Sequence, residues 1–146
     1  MRIHIIAVGK IKERGIREGI DDYIGRLRRY ARVEERELRD GSDADVAARF
    51  EKALPAGARV VALEVGGKAL SSEGFAEVLE RWDNGAIQEV AFLIGGAEGL
   101  PRSVTAKADM ELSLSTMTLP HRLARLLLCE QIYRAYTIRR GEPYSK

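Results

Sequence analysis

The chain has 146 residues, 45% apolar and 32% charged, with a formal net charge of +2, so it suits one compact domain spanning residues 1–146 and excludes a disordered polypeptide. No stretch approaches the roughly 20 apolar residues of a membrane-spanning helix. One cysteine, Cys129, excludes an internal disulfide framework, and two isolated histidines argue against a metal cage.

Ile3 to Val8 is a short apolar run closed by Gly9 and predicts a buried strand. Because Met1 leads straight into that strand, no signal peptide is expected and a cytoplasmic location follows. Ile16, Ile20, Tyr23, Ile24 and Leu27 then form one apolar stripe at helical spacing, with Arg14, Arg17, Arg26, Arg28 and Arg29 mostly off it. Gly15, Gly19 and Gly25 weaken that helix intrinsically, so packing must hold it. Val33 to Leu38 reads as a charged edge strand, since Glu34, Glu35, Arg36 and Glu37 are hard to bury on both faces.

Asp43 to Leu54 reads as a helix with Val46 and Phe50 inward, ended by Pro55-Ala56-Gly57. Val60 to Val65 is the next strand, closed by Gly66-Gly67. Ser71 is a natural N-cap for the following helix, with Leu70 and Phe75 at the spacing of a hydrophobic staple. Val90 to Ile94 is continuously apolar, as a central parallel strand covered on both faces should be. A short helix follows Pro101; Met110, Leu112 and Leu114 alternate as a strand; and Pro120, expected at a first helical position, opens a helix from about His121 to Ile138. Five strands alternating with helices predict an α/β domain, a mostly parallel sheet with helices on both faces.

Such sheets bind ligands beyond the carboxyl ends of their strands, which directs attention to the loops after Val65, Ile94 and Leu114. Gly95-Gly96-Ala97-Glu98-Gly99 permits backbone angles and ligand approach that side chains would block, although alone it reads first as a tight turn. Its spacing matches neither glycine-rich phosphate motif, and Glu98 opposes a phosphate, which leaves a phosphate-free adenosyl ligand open. Leu114-Ser115-Thr116-Met117-Thr118-Leu119-Pro120-His121 joins strand to helix with backbone groups that need partners; an adenine edge would supply them, or Ser115 and Thr118 merely cap the helix.

Residues 1–40 and 120–146 are net basic and the middle net acidic. The apolar residues of the last helix, from Leu123 to Tyr136, spread too widely for one contact ridge, which predicts a second packing face and a homodimer. Arg122, Arg125, Arg134, Arg139 and Arg140 interleave with Tyr133, Tyr136 and Tyr144 as RNA-binding surfaces do, or as solvated arginines beside core tyrosines.

Taken together, Leu93 to Leu100, Ser113 to His121, Glu130-Gln131-Ile132-Tyr133-Arg134-Ala135-Tyr136 and the ending Arg140-Gly141-Glu142-Pro143-Tyr144 resemble the RlmH family of SPOUT methyltransferases. The similarity extends to Ala7-Val8-Gly9-Lys10 and to Gly67 through Gly74, and so covers essentially the whole chain. The resemblance implies an S-adenosylmethionine-dependent enzyme that methylates N3 of a pseudouridine in a large-subunit rRNA hairpin, as a homodimer on the assembled ribosome. It implies a carboxy-terminal trefoil knot, and it places cofactor contacts on Leu63, Gly95, Leu114, Ser115, Thr116, Met117, Thr118 and Leu119.

No metal or covalent intermediate is required by that chemistry, but the N3 proton must leave. Arg125 or Arg134 is the expected stabiliser of the resulting charge, His121 a weaker candidate base that reads first as a structural residue beside Pro120, and Arg139, Arg140 and Tyr144 the expected RNA contacts. Related chains often end Pro-Tyr-His, whereas this one ends Pro143-Tyr144-Ser145-Lys146; any duty of that histidine is unfilled or passes to Tyr144 or Lys146. Two alternatives stand beside this reading: a noncatalytic α/β nucleotide-binding module, and a SPOUT methyltransferase acting on tRNA.

Overall fold

A computed structural model describes residues 1–145. The elements are β1 (Arg2–Val8), α1 (Arg14–Leu27), β2 (Arg32–Leu38), α2 (Asp43–Ala53), β3 (Arg59–Ala69), α3 (Ser72–Asn84), β4 (Glu89–Ile94), α4 (Arg102–Thr105), β5 (Met110–Ser113), α5 (His121–Arg139) and a terminal 3-10 turn, Pro143–Ser145. All strand pairs of the five-stranded sheet are parallel, in the order β2-β1-β4-β3-β5.

Alternation along the strands divides the core. Ile3, Ile5, Ala7, Phe92 and Ile94 face α1, α3 and α5, while Ile6, Val8, Ala91 and Leu93 face α2 and α4. Leftward crossovers thus use one face and rightward crossovers the other, as a uniform hand of connection requires. The second layer is thin and leans on Phe50, fully buried and contributing about 3 kcal/mol. The Ser71 hydroxyl accepts from Gly74 N–H at 3.0 Å, as expected of an N-cap, with Leu70 packed against the core that holds Phe75. Gly19 has a packing reason: a Cβ there would lie 3.0 Å from Leu126 Cδ1, so the glycine lets α1 and α5 close together.

Two sequence expectations need correction. Strand β3 does not stop at Gly66-Gly67. Leu63 and Lys68 both pair with Leu112, so the chain leaves the ladder at Glu64, makes a short excursion, and rejoins β5. Gly67 permits the return, because a Cβ there would sit 2.7 Å from the carbonyl of Glu111. Pro120 is the N-cap of α5 rather than its first helical residue, with extended ψ of 140°. No helix among the described residues is long and apolar enough to cross a membrane.

Candidate active site

Three loops converge at the carboxyl end of the sheet: the Glu64–Gly67 excursion of β3, the glycine loop after β4, and the stretch between β5 and α5. They enclose a mostly apolar cleft of about 550 Å³. Leu63, Gly95, Leu114, Ser115, Met117, Thr118 and Leu119 line it, as do His121 and Arg122; Thr116 is exposed and not part of the lining. Two roomier hollows, each about 750 Å³, lie elsewhere. One sits beside edge strand β2 around His4, Glu34 and Arg36, and the other at the amino ends of the strands around Arg2, Arg32 and Glu89, away from where parallel sheets bind ligands.

The glycine loop is shaped by its own backbone. Gly95 is buried, and a Cβ on it would lie 2.3 Å from the carbonyl carbon of Gly99. Gly99 N–H donates to Gly96 C=O at 3.0 Å, and Gly99 itself adopts φ of +78°. The loop is thus a compact turn that leaves an open floor under the cleft. Glu98 points to solvent.

In the β5–α5 stretch, the Ser113 hydroxyl donates to Ser115 C=O at 2.8 Å, and Met117 N–H donates to Ser115 Oγ at 2.9 Å. Neither Ser115 nor Thr118 caps α5, whose N-terminus has no side-chain cap. Among the described residues the amides of Thr116, Thr118 and Leu119 make no hydrogen bond. They are spare donors beside an apolar cleft, an arrangement suited to the edge of a flat heterocycle.

Arg125 lies inside the protein, 1% exposed, and outside the cleft lining. It donates to Glu35 at 2.8 Å, Glu37 at 2.6 Å and Gly9 C=O at 2.9 Å, while its Nε is buried without a partner. Arg17 joins the same network through Glu35 and Asp21. Burial pushes the Glu37 carboxyl up, but hydrogen bonds from Arg125 and Ile11 N–H outweigh it and hold the group below its ordinary value. The arginine therefore ties the β1–α1 loop and edge strand β2 to α5; its charge is already spent on two carboxylates.

Arg134 is placed differently. It donates to Glu130 Oε2 at 2.7 Å, one turn earlier on α5, and its guanidinium stands 5.0 Å over the Tyr144 ring. The Tyr144 hydroxyl donates to Glu130 at 2.7 Å and lies 3.2 Å from the Tyr23 hydroxyl. Burial and these two neighbours push the Tyr144 phenol well up, so it keeps its proton. The tail thus folds back against the outer side of α5, with Ser145 Oγ 3.4 Å from Arg134 Nη1. Lys146 lies outside the described residues.

Arg139 is committed to Asp83 at 2.8 Å and to the Tyr136 ring, whereas Arg140 is exposed above Tyr30. Glu64 and the Arg122–Glu13 ion pair, 2.6 Å, were not singled out by sequence reasoning. Glu64 had a signal, being the polar residue two beyond inward-facing Ala62 on β3; Glu13 had none. Cys129 is buried, its thiol pushed up to about 12 by desolvation, and is chemically quiet.

Comparison with known proteins gives these features their context. The family described as "Predicted SPOUT methyltransferase" matches residues 1–145. "Ribosomal RNA large subunit methyltransferase H" of Sorangium cellulosum (strain So ce56) is 54% identical over 145 residues, covering 99% of each chain. The protein of the same name from Desulfotalea psychrophila (strain LSv54 / DSM 12343) is 46% identical over the whole of both. Among solved structures, a probable methylase family protein from Haemophilus influenzae Rd KW20 superposes with a TM-score of 0.55 at 11% identity, over 95% of this chain and 66% of that one, and supports the fold alone. The resemblance read from the sequence holds along the full length: the chain belongs to the SPOUT methyltransferases, enzymes that use a methyl donor and whose fold implies a carboxy-terminal trefoil knot.

Proposed function

We propose that this protein transfers a methyl group from S-adenosylmethionine to large-subunit ribosomal RNA, at N3 of a pseudouridine in a hairpin loop, acting as a homodimer on the assembled ribosome. The observation that carries the reading is the cleft at the strand carboxyl ends: sized for one nucleoside, mostly apolar, edged by unpaired amides, and without a phosphate cradle. The residues fit the cofactor. Leu63, Leu114 and Leu119 would sandwich a purine, Gly95 would leave it room, and the Thr118 and Leu119 amides would meet its edge. The relatives' shared name supplies the ribosomal RNA, and at full-length identities of 54% and 46% the chain is taken to share that substrate.

S-adenosylmethionine, when bound, supplies an activated methyl group on a sulfonium sulfur. The chain's own work is to exclude water, hold the target ring in line, and accommodate the charge left when the N3 proton departs. Arg134 is the residue suited to that charge. Its partner Glu130 holds it charged, and it is 27% exposed on the outer side of α5, where Arg125 is enclosed. His121, in the cleft wall, is placed to receive a proton. Tyr144 braces Arg134, and Arg140 remains the freer of the two terminal arginines for phosphate.

Arg134 lies about 20 Å along α5 from His121 at the helical rise per residue, too far to serve the cleft of its own protomer. Dimerisation resolves this. Leu123 and Leu127 are 38% and 42% exposed on one face of α5, and Met117 and Val65 of the cleft lining are 74% and 51% exposed. A two-fold axis near Leu127 lays two copies antiparallel and brings Arg134 of one level with the start of α5 in the other, at the mouth of its cleft.

The test is incorporation of labelled methyl groups from S-adenosylmethionine into ribosomes and bulk tRNA, followed by nucleoside mass mapping. Label on N3 of one pseudouridine of large-subunit RNA is expected; label confined to tRNA, or none, overturns the reading.

A further inference from the structure

The charges facing the cleft are few. Arg122 is neutralised by Glu13 at 2.6 Å, and the carboxylate in the lining is Glu64, on the strand excursion between Leu63 and Val65. Among the described residues Glu64 has neither an ion-pair partner nor a side-chain hydrogen bond. Its surroundings sharpen the anomaly. Glu111 stands opposite Ala62 on β5, two residues before Glu64 along β3, so a second carboxylate lies close by. Burial, and then Glu111, push the Glu64 carboxyl above its ordinary value, the mark of an acid that lacks a cation. A half-buried unpaired carboxylate on an apolar wall is costly and invites a positive ligand.

On the reading that this cleft takes S-adenosylmethionine, we propose that the Glu64 carboxylate faces the sulfonium charge and makes the cleft prefer the methyl donor over its neutral-sulfur product. Donor and product share the adenosine and the amino-acid end and differ by a methyl group and one positive charge. The spare amides and leucines of the β5–α5 loop hold what the two share and cannot tell them apart. Glu64 acts on what they do not share. Once the methyl group leaves, the carboxylate loses its counter-charge, and product release is eased without any movement of the loops.

The experiment is titration calorimetry of the full chain with S-adenosylmethionine, S-adenosylhomocysteine and sinefungin, whose amine restores a positive charge near the sulfur position. Glu64→Gln is expected to weaken S-adenosylmethionine and sinefungin about tenfold, the size expected of a charge pair several ångströms apart near a protein surface, and to leave S-adenosylhomocysteine within about twofold. Thermal unfolding checks folding, and the variant should melt no lower than wild type because repulsion by Glu111 is relieved. Equal losses for all three ligands, or undiminished binding of the cationic ones, overturn the proposal while leaving the cofactor reading intact. Wild-type protein that binds none of the three overturns both.

Discussion

Helix α5 carries two arginines on opposite terms with their surroundings. Arg125 is enclosed, and its partners Glu35, Glu37 and Gly9 come from distant parts of the chain. Arg134 is open, and its main partner, Glu130, is one turn away on the same helix. Both are arginine–glutamate pairs, yet the first fastens three elements together and the second presents a charge. What separates them is where the partner comes from and whether solvent reaches the pair, neither of which depends on residue type. A buried pair with non-local partners is hard to lose, because removing one member strands the others; a local, solvated pair is worth little to the fold and is free to serve chemistry.

The sharpest way to break this contrast is to remove each arginine in turn. Arg125→Ala should cost about 3–5 kcal/mol in urea unfolding, since it leaves the Gly9 carbonyl without its donor and Glu35 and Glu37 with Arg17 as their remaining cation. A loss under about 1 kcal/mol would erase the distinction. Arg134→Gln should change stability by less than about 1 kcal/mol while lowering kcat on ribosomes by about 10²-fold or more, as loss of a charge-stabilising donor does. Mixing it with a Gly95→Val variant, whose cleft is blocked, should restore part of the activity through mixed dimers; no recovery would place both residues in the service of one protomer.

The smallest expected effect concerns acid. Because the Glu37 carboxyl is held low in the folded chain, its contribution to stability is complete above the ordinary glutamate value, about 4.3, and fades as pH falls through the lowered one. The stability gap between wild type and Glu37→Gln should therefore be constant from pH 7 to pH 5 and shrink below it. A gap that persists at pH 3 would show that shape, not charge, holds the network.

Much of this was legible in the sequence, for local reasons. The apolar runs of β1 and β4 and the Ser71 cap depend on neighbours in the chain, and the three strand-end loops follow once the sheet is known to be parallel. What escaped depends on distant pairing. The continuation of β3 past Gly66-Gly67 exists because Lys68 and Ala69 find Leu112 and Ser113. The burial of Arg125 could not be read from α5, whose apolar residues leave no clean polar face. The clue lay in β2, where Val33, Glu35 and Glu37 alternate to the same side: a strand that turns two carboxylates toward a core needs a cation from somewhere else. The glycine loop bears out its reading as a tight turn, since Gly95 is required by the turn's own backbone before any ligand is considered.

The rims of the sheet have a consequence for how the protein behaves when concentrated. On one side β2 displays Glu34 and Arg36, and on the other β5 is only four residues long and ends in the Ser113–Ser115 turn. Neither rim offers a long apolar ribbon for another strand to join. In the proposed homodimer, copies of the chain would meet instead through side chains on the helical layer, where a two-fold contact uses up both partners' patches and growth stops. Crowding this protein should yield discrete particles, never fibres.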